Sequence, residues 1–180
     1  MRPTYFVTTT CANRTRIFQR EEAATLFIAT PYDYRRKGNL QVHSFVVMPD
    51  HVHLIITPAT NVTLEKAAQL IKGGFSFRYG KLINAKRDVW QRSYTEHMIK
   101  NGDDYLNHRK YTDMNPVSRE LCRSPEAYPF GSVQRAAKAA LFLEAIGPNP
   151  LLHKHKKTGC SESPRLFSQV RQGADNDALP

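Results

Sequence analysis

Short apolar blocks separated by polar turns set the rhythm of this chain. Thr4 to Thr10 is rich in β-branched and aromatic residues and predicts a first strand. The basic stretch CANRTRIF after it predicts a loop. From Glu21 to about Ala29, apolar residues follow two acids, which favour the positive end of a helix dipole, so a short helix is expected. YDYRRKGNL is polar and ends in a turn signal, and predicts a connection. Leu40 to Met48 predicts a second strand. Pro49 interrupts that run, since proline cannot occupy a central ladder position, and His51 to Thr57 predicts a third strand paired back on the second.

Thr63 is placed to cap the next helix. Leu64, Ala67, Ala68, Ile71, Phe75 and Leu82 mark one face of it, with Gly73-Gly74 weakening its middle. Lys66, Lys72, Arg78 and Lys81 mark the other. DVWQRSYTEHMI predicts a fourth strand. NGDD supplies turn and capping residues for a helix running to about Asn115, where the following proline disfavours helical dihedrals. A proline-punctuated connector leads to a helix from Ala136 to Ile146, and the rest predicts a basic, mobile tail. The expectation is an α+β fold, an antiparallel sheet of about four to five strands with flanking helices. Residues 1–135 form its domain, and 136–180 a C-terminal helix and tail.

Charge narrows the class of partner. Lys and Arg number 26 against 16 Asp and Glu, a net charge of +10, and so strong a positive balance points to a polyanion such as nucleic acid. Cys11, Cys122 and Cys160 are scattered and odd in number, which argues against a disulfide framework or a zinc finger. No long apolar segment follows a charged leader. A soluble, cytoplasmic protein is expected.

Two histidines break the apolar pattern of the third strand. Residues two apart on a strand share a face, so His51 and His53 project together while Val52, Leu54 and Ile56 face the other way into a core. Their Cα atoms, ~7 Å apart on the strand rise, let the two imidazoles converge on one metal ion. The plain alternative is two half-exposed histidines on a solvent face. A divalent ion needs further ligands, and Asp50, His97, Asp103, Asp104, Asn115 and the other histidines are candidates among which spacing does not choose. His43, on the neighbouring strand, reads as structural. His153 and His155 belong to the charge-rich tail.

Tyr111 and Asn115, four apart, lie on one face of the expected helix. Either alone is ordinary: a tyrosine at the rim of a core, and an asparagine closing a helix before proline.

Together with the histidines they carry a resemblance. VVMPDHVHLII, VWQRSYTEHMI, YTDMNPV and SPEAYPFGS, in this order, resemble the REP-associated tyrosine transposases of the single-tyrosine HUH superfamily, over about residues 4 to 135. That resemblance implies a ferredoxin-like HUH fold and a metal-dependent single-strand DNA endonuclease and strand transferase. It implies Tyr111 as the nucleophile and His51, His53 and the amide oxygen of Asn115 as ligands of magnesium or manganese, with no nucleotide cofactor. Its substrate would be a single-stranded hairpin of the repetitive extragenic palindrome type. The protein would be bacterial and nucleoid-associated, a monomer or a homodimer. Related transposases commonly carry glutamine where Asn115 stands. The rivals are an inactive, domesticated hairpin-binding protein and a His-x-His metal hydrolase.

For DNA contact, Arg14, Arg16, Lys72, Arg78, Arg92 and Lys110 are the expected phosphate partners. Phe75, Phe77, Tyr79, Trp90 and Tyr94 are candidate stacking surfaces, although most such aromatics lie in cores.

Overall fold

The computed structural model describes residues 2–85 and 88–136; the helix and tail expected from Ala136 onward lie, but for that first residue, outside them. The elements are β1 (Tyr5–Thr10), α1 (Glu21–Arg36), β2 (Leu40–Val47), β3 (His51–Pro58), α2 (Leu64–Leu82), β4 (Thr95–Met98) and α3 (Gly102–Ser118). The four strands form one antiparallel sheet in the order β2-β3-β1-β4. This is the expected α+β architecture.

Strand parity sorts the two faces. Val7, Phe45, Val47, Val52, Leu54 and Ile56 are buried in one core with Phe27, Ile71 and Phe75 of α1 and α2. The opposite face presents Thr8, His51 and His53, and α3 lies across it, tied to β2 by the Ser44 hydroxyl donating to Asp113 (3.3 Å). Beyond α3 the connector covers the edge of β2: Tyr128 donates its hydroxyl to the Val47 carbonyl (2.7 Å) and Phe130 accepts from the Val47 amide (2.9 Å).

Both helices expected to stop near a proline run through it. α1 continues past Ala29 and through Pro31 to Arg36. Phe27, Ile28, Thr30 and Pro31 are all buried there, and packing of this kind outweighs the backbone bond that proline forgoes. α3 passes through Pro116 to Ser118, with Asn115 and Pro116 buried together. The backbone bonds of Arg119 and Leu121 to the carbonyls of Asn115 and Pro116 close that last turn.

Gly73 and Gly74 weaken α2 by propensity, but one of them is required by packing. A Cβ at Gly74 would sit 2.7 Å from the Tyr34 hydroxyl oxygen, whereas one at Gly73 would meet nothing within 4 Å. Gly74 is where α1 and α2 approach closely; Gly73 only costs helix stability.

The fourth strand is shorter than its sequence predicts. Only Thr95–Met98 pairs continuously with β1, while Trp90 makes an isolated bridge to Cys11. Between them the chain bows away, and its carbonyls at Gln91, Arg92 and Ser93 all accept from the Lys72 ammonium (2.9, 3.4 and 3.5 Å).

Candidate active site

Pairing across the sheet fixes the histidines. His53 is opposite Thr8 in the register of β3 with β1, and its Nδ1 lies 2.8 Å from the Thr8 hydroxyl. With Nδ1 held there, Nε2 is left to bind something else. His53 is only 4% exposed. Burial pushes its pKa down to about 3, helped by the charges of His51 and Arg119, so the ring is neutral under physiological conditions. A neutral imidazole is the form that ligates metals.

His51 is oriented by its neighbour in sequence. Its Nδ1 lies 2.6 Å from Oδ1 of Asp50. Burial raises the Asp50 pKa, but the His51 bond and the Arg14 guanidinium outweigh it and hold the carboxyl below its usual range. Asp50, a candidate third ligand by sequence, is placed to orient His51. The rings of His51 and His53 are 4.9 Å apart, centroid to centroid.

α3 brings the remaining residues to His53. The Tyr111 ring stands edge-on to it at 5.2 Å, and the residue is 53% exposed. Phe6 stacks on His53 at 5.4 Å and meets Tyr111 at 5.9 Å, fixing the spacing between them. One turn beyond Tyr111, the Asn115 amide nitrogen is 3.3 Å from Nε2 of His53. The Asn115 oxygen is buried with no hydrogen-bond partner. An orphaned buried oxygen costs on the order of 1–3 kcal/mol. The amide nitrogen faces the imidazole; turning the amide over would set this oxygen beside Nε2 and give a donor set that a hard cation would satisfy. The residues fit a divalent ion.

The other sequence candidates are distributed unevenly. His97 and Asp104 pair with each other and with His108, away from His53, and Asp103 is exposed in the first turn of α3. His43 lies 2.8 Å from the Thr57 hydroxyl. Lys72 and Arg78 lie on α2, across the sheet from the histidines. Lys72 is engaged by the three loop carbonyls, and Arg78 pairs with Asp33 of α1 at 2.5 Å. Both of these expected phosphate partners therefore have partners within the fold. Phe75, Tyr79 and Trp90 belong to the aromatic core, Tyr94 lies against Lys72, and Phe77 is exposed on α2. Arg92 and Lys110 are exposed.

Arg14 and Arg16 lie on the histidine side. With Arg119, Asp50 and His51 they line a cleft of about 220 Å³ beside the histidine pair. Asn13 and Arg14 have φ of 52° and 51°, a left-handed turn that residues with side chains adopt rarely. Sequence reasoning missed Arg119, Thr8 and Phe6. Arg119 was legible only by counting two helical turns from Tyr111; Thr8 and Phe6 required the strand register.

An antiparallel sheet offering two imidazoles to a helix that carries a tyrosine and an amide is the arrangement of a tyrosine transposase. Residues 2–113 match the family described as IS200-like transposases, and the chain belongs to that family. Among its relatives, a candidate REP-associated tyrosine transposase of Haemophilus influenzae is 28% identical over 114 residues, 58% of this chain and 65% of the relative. A REP-associated tyrosine transposase of Escherichia coli is 28% identical over 109 residues, 60% of this chain and 63% of the relative. The chain thus spans slightly under two thirds of the length of these relatives. The solved structure of a REP-associated tyrosine transposase bound to a REP hairpin superposes with a TM-score of 0.66 at 24% identity, covering 93% of this chain and 95% of that one. It shows the same fold. Among the described residues, no helix is long and apolar enough to cross a membrane.

Proposed function

We propose that this protein is a single-strand DNA endonuclease and strand transferase of the REP-associated type, acting on hairpin-forming repeat DNA through a 5′-phosphotyrosine intermediate. The observation that carries the reading is the Tyr111 ring against His53, with the buried Asn115 amide at the same imidazole. No simple core packing calls for that combination. The names of the relatives and of the structural neighbour support the same substrate class.

His51, His53 and Asn115 are the residues that would hold a divalent cation, magnesium or manganese. When bound, such an ion polarises a phosphate and offsets charge on the departing oxygen. Tyr111 supplies the nucleophile. Its oxygen forms a bond to phosphorus as the bond from phosphorus to the 3′ oxygen breaks, leaving a 3′-hydroxyl and a 5′-phosphotyrosine. The phenolic proton is lost on attack and the departing oxygen gains one. The phosphodiester energy is retained in the covalent link, so another 3′-hydroxyl can displace Tyr111 without ATP. The arginine cleft beside His51 holds neighbouring phosphates in register with the tyrosine.

The test incubates the protein with a single-stranded hairpin oligonucleotide and manganese and resolves the products on a denaturing gel. A protein–DNA adduct is expected, absent in Tyr111→Phe, which still binds the hairpin. His51→Ala and His53→Ala should lose cleavage with little effect on binding. Normal cleavage by Tyr111→Phe contradicts the nucleophile assignment, and normal cleavage by the histidine variants contradicts the metal centre.

A further inference from the structure

A second cluster of metal-ligating side chains lies where β4 meets α3. The Asp104 carboxylate is 2.9 and 3.1 Å from Nε2 of His97 and 2.9 Å from Nδ1 of His108. The two imidazoles are stacked almost parallel, 4.5 Å apart with 17° between planes. One ligand atom from each of the three residues lies within 4.8 Å of the others. The carboxylate is itself oriented. It accepts from the Lys100 amide (2.9 Å), and the Asn101 side chain caps the helix by accepting from the Asp104 amide (2.9 Å). All three residues are partly exposed, so an ion can enter from solvent.

We propose that His97, Asp104 and His108 form a site for a divalent transition metal of zinc-like chemistry, separate from the His51–His53–Asn115 centre, that staples the tyrosine helix to the edge strand. Two imidazoles and one carboxylate are a zinc ligand set with a fourth position left to water. An oriented outer partner such as the Lys100 amide is what such sites use to hold a ligand. The fold also has a need for the staple. α3 buries only Thr112, Asn115 and Pro116, all in its C-terminal half, so its N-terminal half has no buried residue to anchor it. β4, its neighbour, is a four-residue edge strand. An ion bridging them fixes the helix one turn before Tyr111. Phe6, 4.8 Å from His108 and 5.9 Å from Tyr111, connects the two regions.

This inference does not depend on the transposase reading, and its test needs no DNA. Metal-free full-length protein is titrated with Co²⁺, followed by visible d–d absorption, and its melting temperature is measured with and without Zn²⁺. The double variant His97→Ala/His108→Ala is expected to bind one equivalent fewer than the native protein and to lose part of the zinc-dependent rise in melting temperature. His51→Ala/His53→Ala should retain that part. Asp104→Asn preserves an acceptor for both rings and guards against misfolding of the double variant; its affinity at this site should fall at least about tenfold. Equal stoichiometry and an equal thermal shift in the double variant, or unchanged affinity in Asp104→Asn, would overturn the proposal.

Discussion

At the scale of single residues, the contacts of the proposed site converge on His53. Its Nδ1 is held by Thr8, its Nε2 faces Asn115, and its ring lies against Phe6 and Tyr111. Thr8→Val keeps the shape and removes the hydroxyl, so the imidazole loses its orienting partner. Cleavage is expected to fall about 10- to 100-fold with the fold intact by circular dichroism; full activity would show that Thr8 does not position the ring. The same burial makes a pH prediction. In the unfolded chain the imidazole protonates below its ordinary value of 6.5, whereas in the fold it resists until about 3. The unfolded state therefore binds more protons across that window, and stability falls as pH drops through it. The urea midpoint of the native protein should decline more between neutral pH and about pH 5 than that of His53→Asn. Parallel declines would remove His53 as the cause. The His-x-His pair was legible because parity alone puts both rings on one face. Thr8 and Phe6 were not, because their proximity comes from the pairing of β1 with β3.

At the scale of elements, local rules located α1, α2 and α3 and misjudged where two of them end. A short apolar run set the expected end of α1 near Ala29 and Pro116 that of α3; burial carries both further, since a chain-local rule does not register what packs on the turn. The expected fourth strand is cut short for the converse reason: Gln91, Arg92 and Ser93 bow out where Lys72 collects their carbonyls. Lys72→Met should therefore lower the melting temperature and leave hairpin affinity nearly unchanged; a drop in affinity without loss of stability would return Lys72 to the DNA track. The glycine pair gives a sharper contrast. Gly73→Ala relieves a helix of its most flexible residue at an open position and should stabilise by about 0.5–1 kcal/mol. Gly74→Ala drives a methyl against the Tyr34 hydroxyl and should destabilise. Equal effects of the two in thermal denaturation would show that α1 and α2 do not approach as described.

At the scale of the molecule, ten excess positive charges implied a polyanion but not the face that meets it. The fold divides them. Arg78 is paired to Asp33 on the far side of the sheet, while Arg14, Arg16 and Arg119 gather beside His51. Hairpin affinity measured against salt should show a log–log slope reduced by about one in Arg119→Ala and unchanged in Arg78→Ala. The reverse order would place the DNA on the helical α1–α2 face. The family and the general architecture were readable from the sequence, since both rest on motifs and alternation. The division of charge was not, because it depends on which helix covers which side of the sheet.

The central claim is that Tyr111 becomes joined to DNA. Its most direct test is to trap the adduct with a hairpin oligonucleotide, digest it with nuclease and trypsin, and locate the nucleotide remnant by mass spectrometry. The remnant is expected on Tyr111, within the peptide that begins there after Lys110 and ends at Arg119. A remnant on any other tyrosine, or cleaved DNA with unmodified Tyr111 and no adduct, would contradict the account.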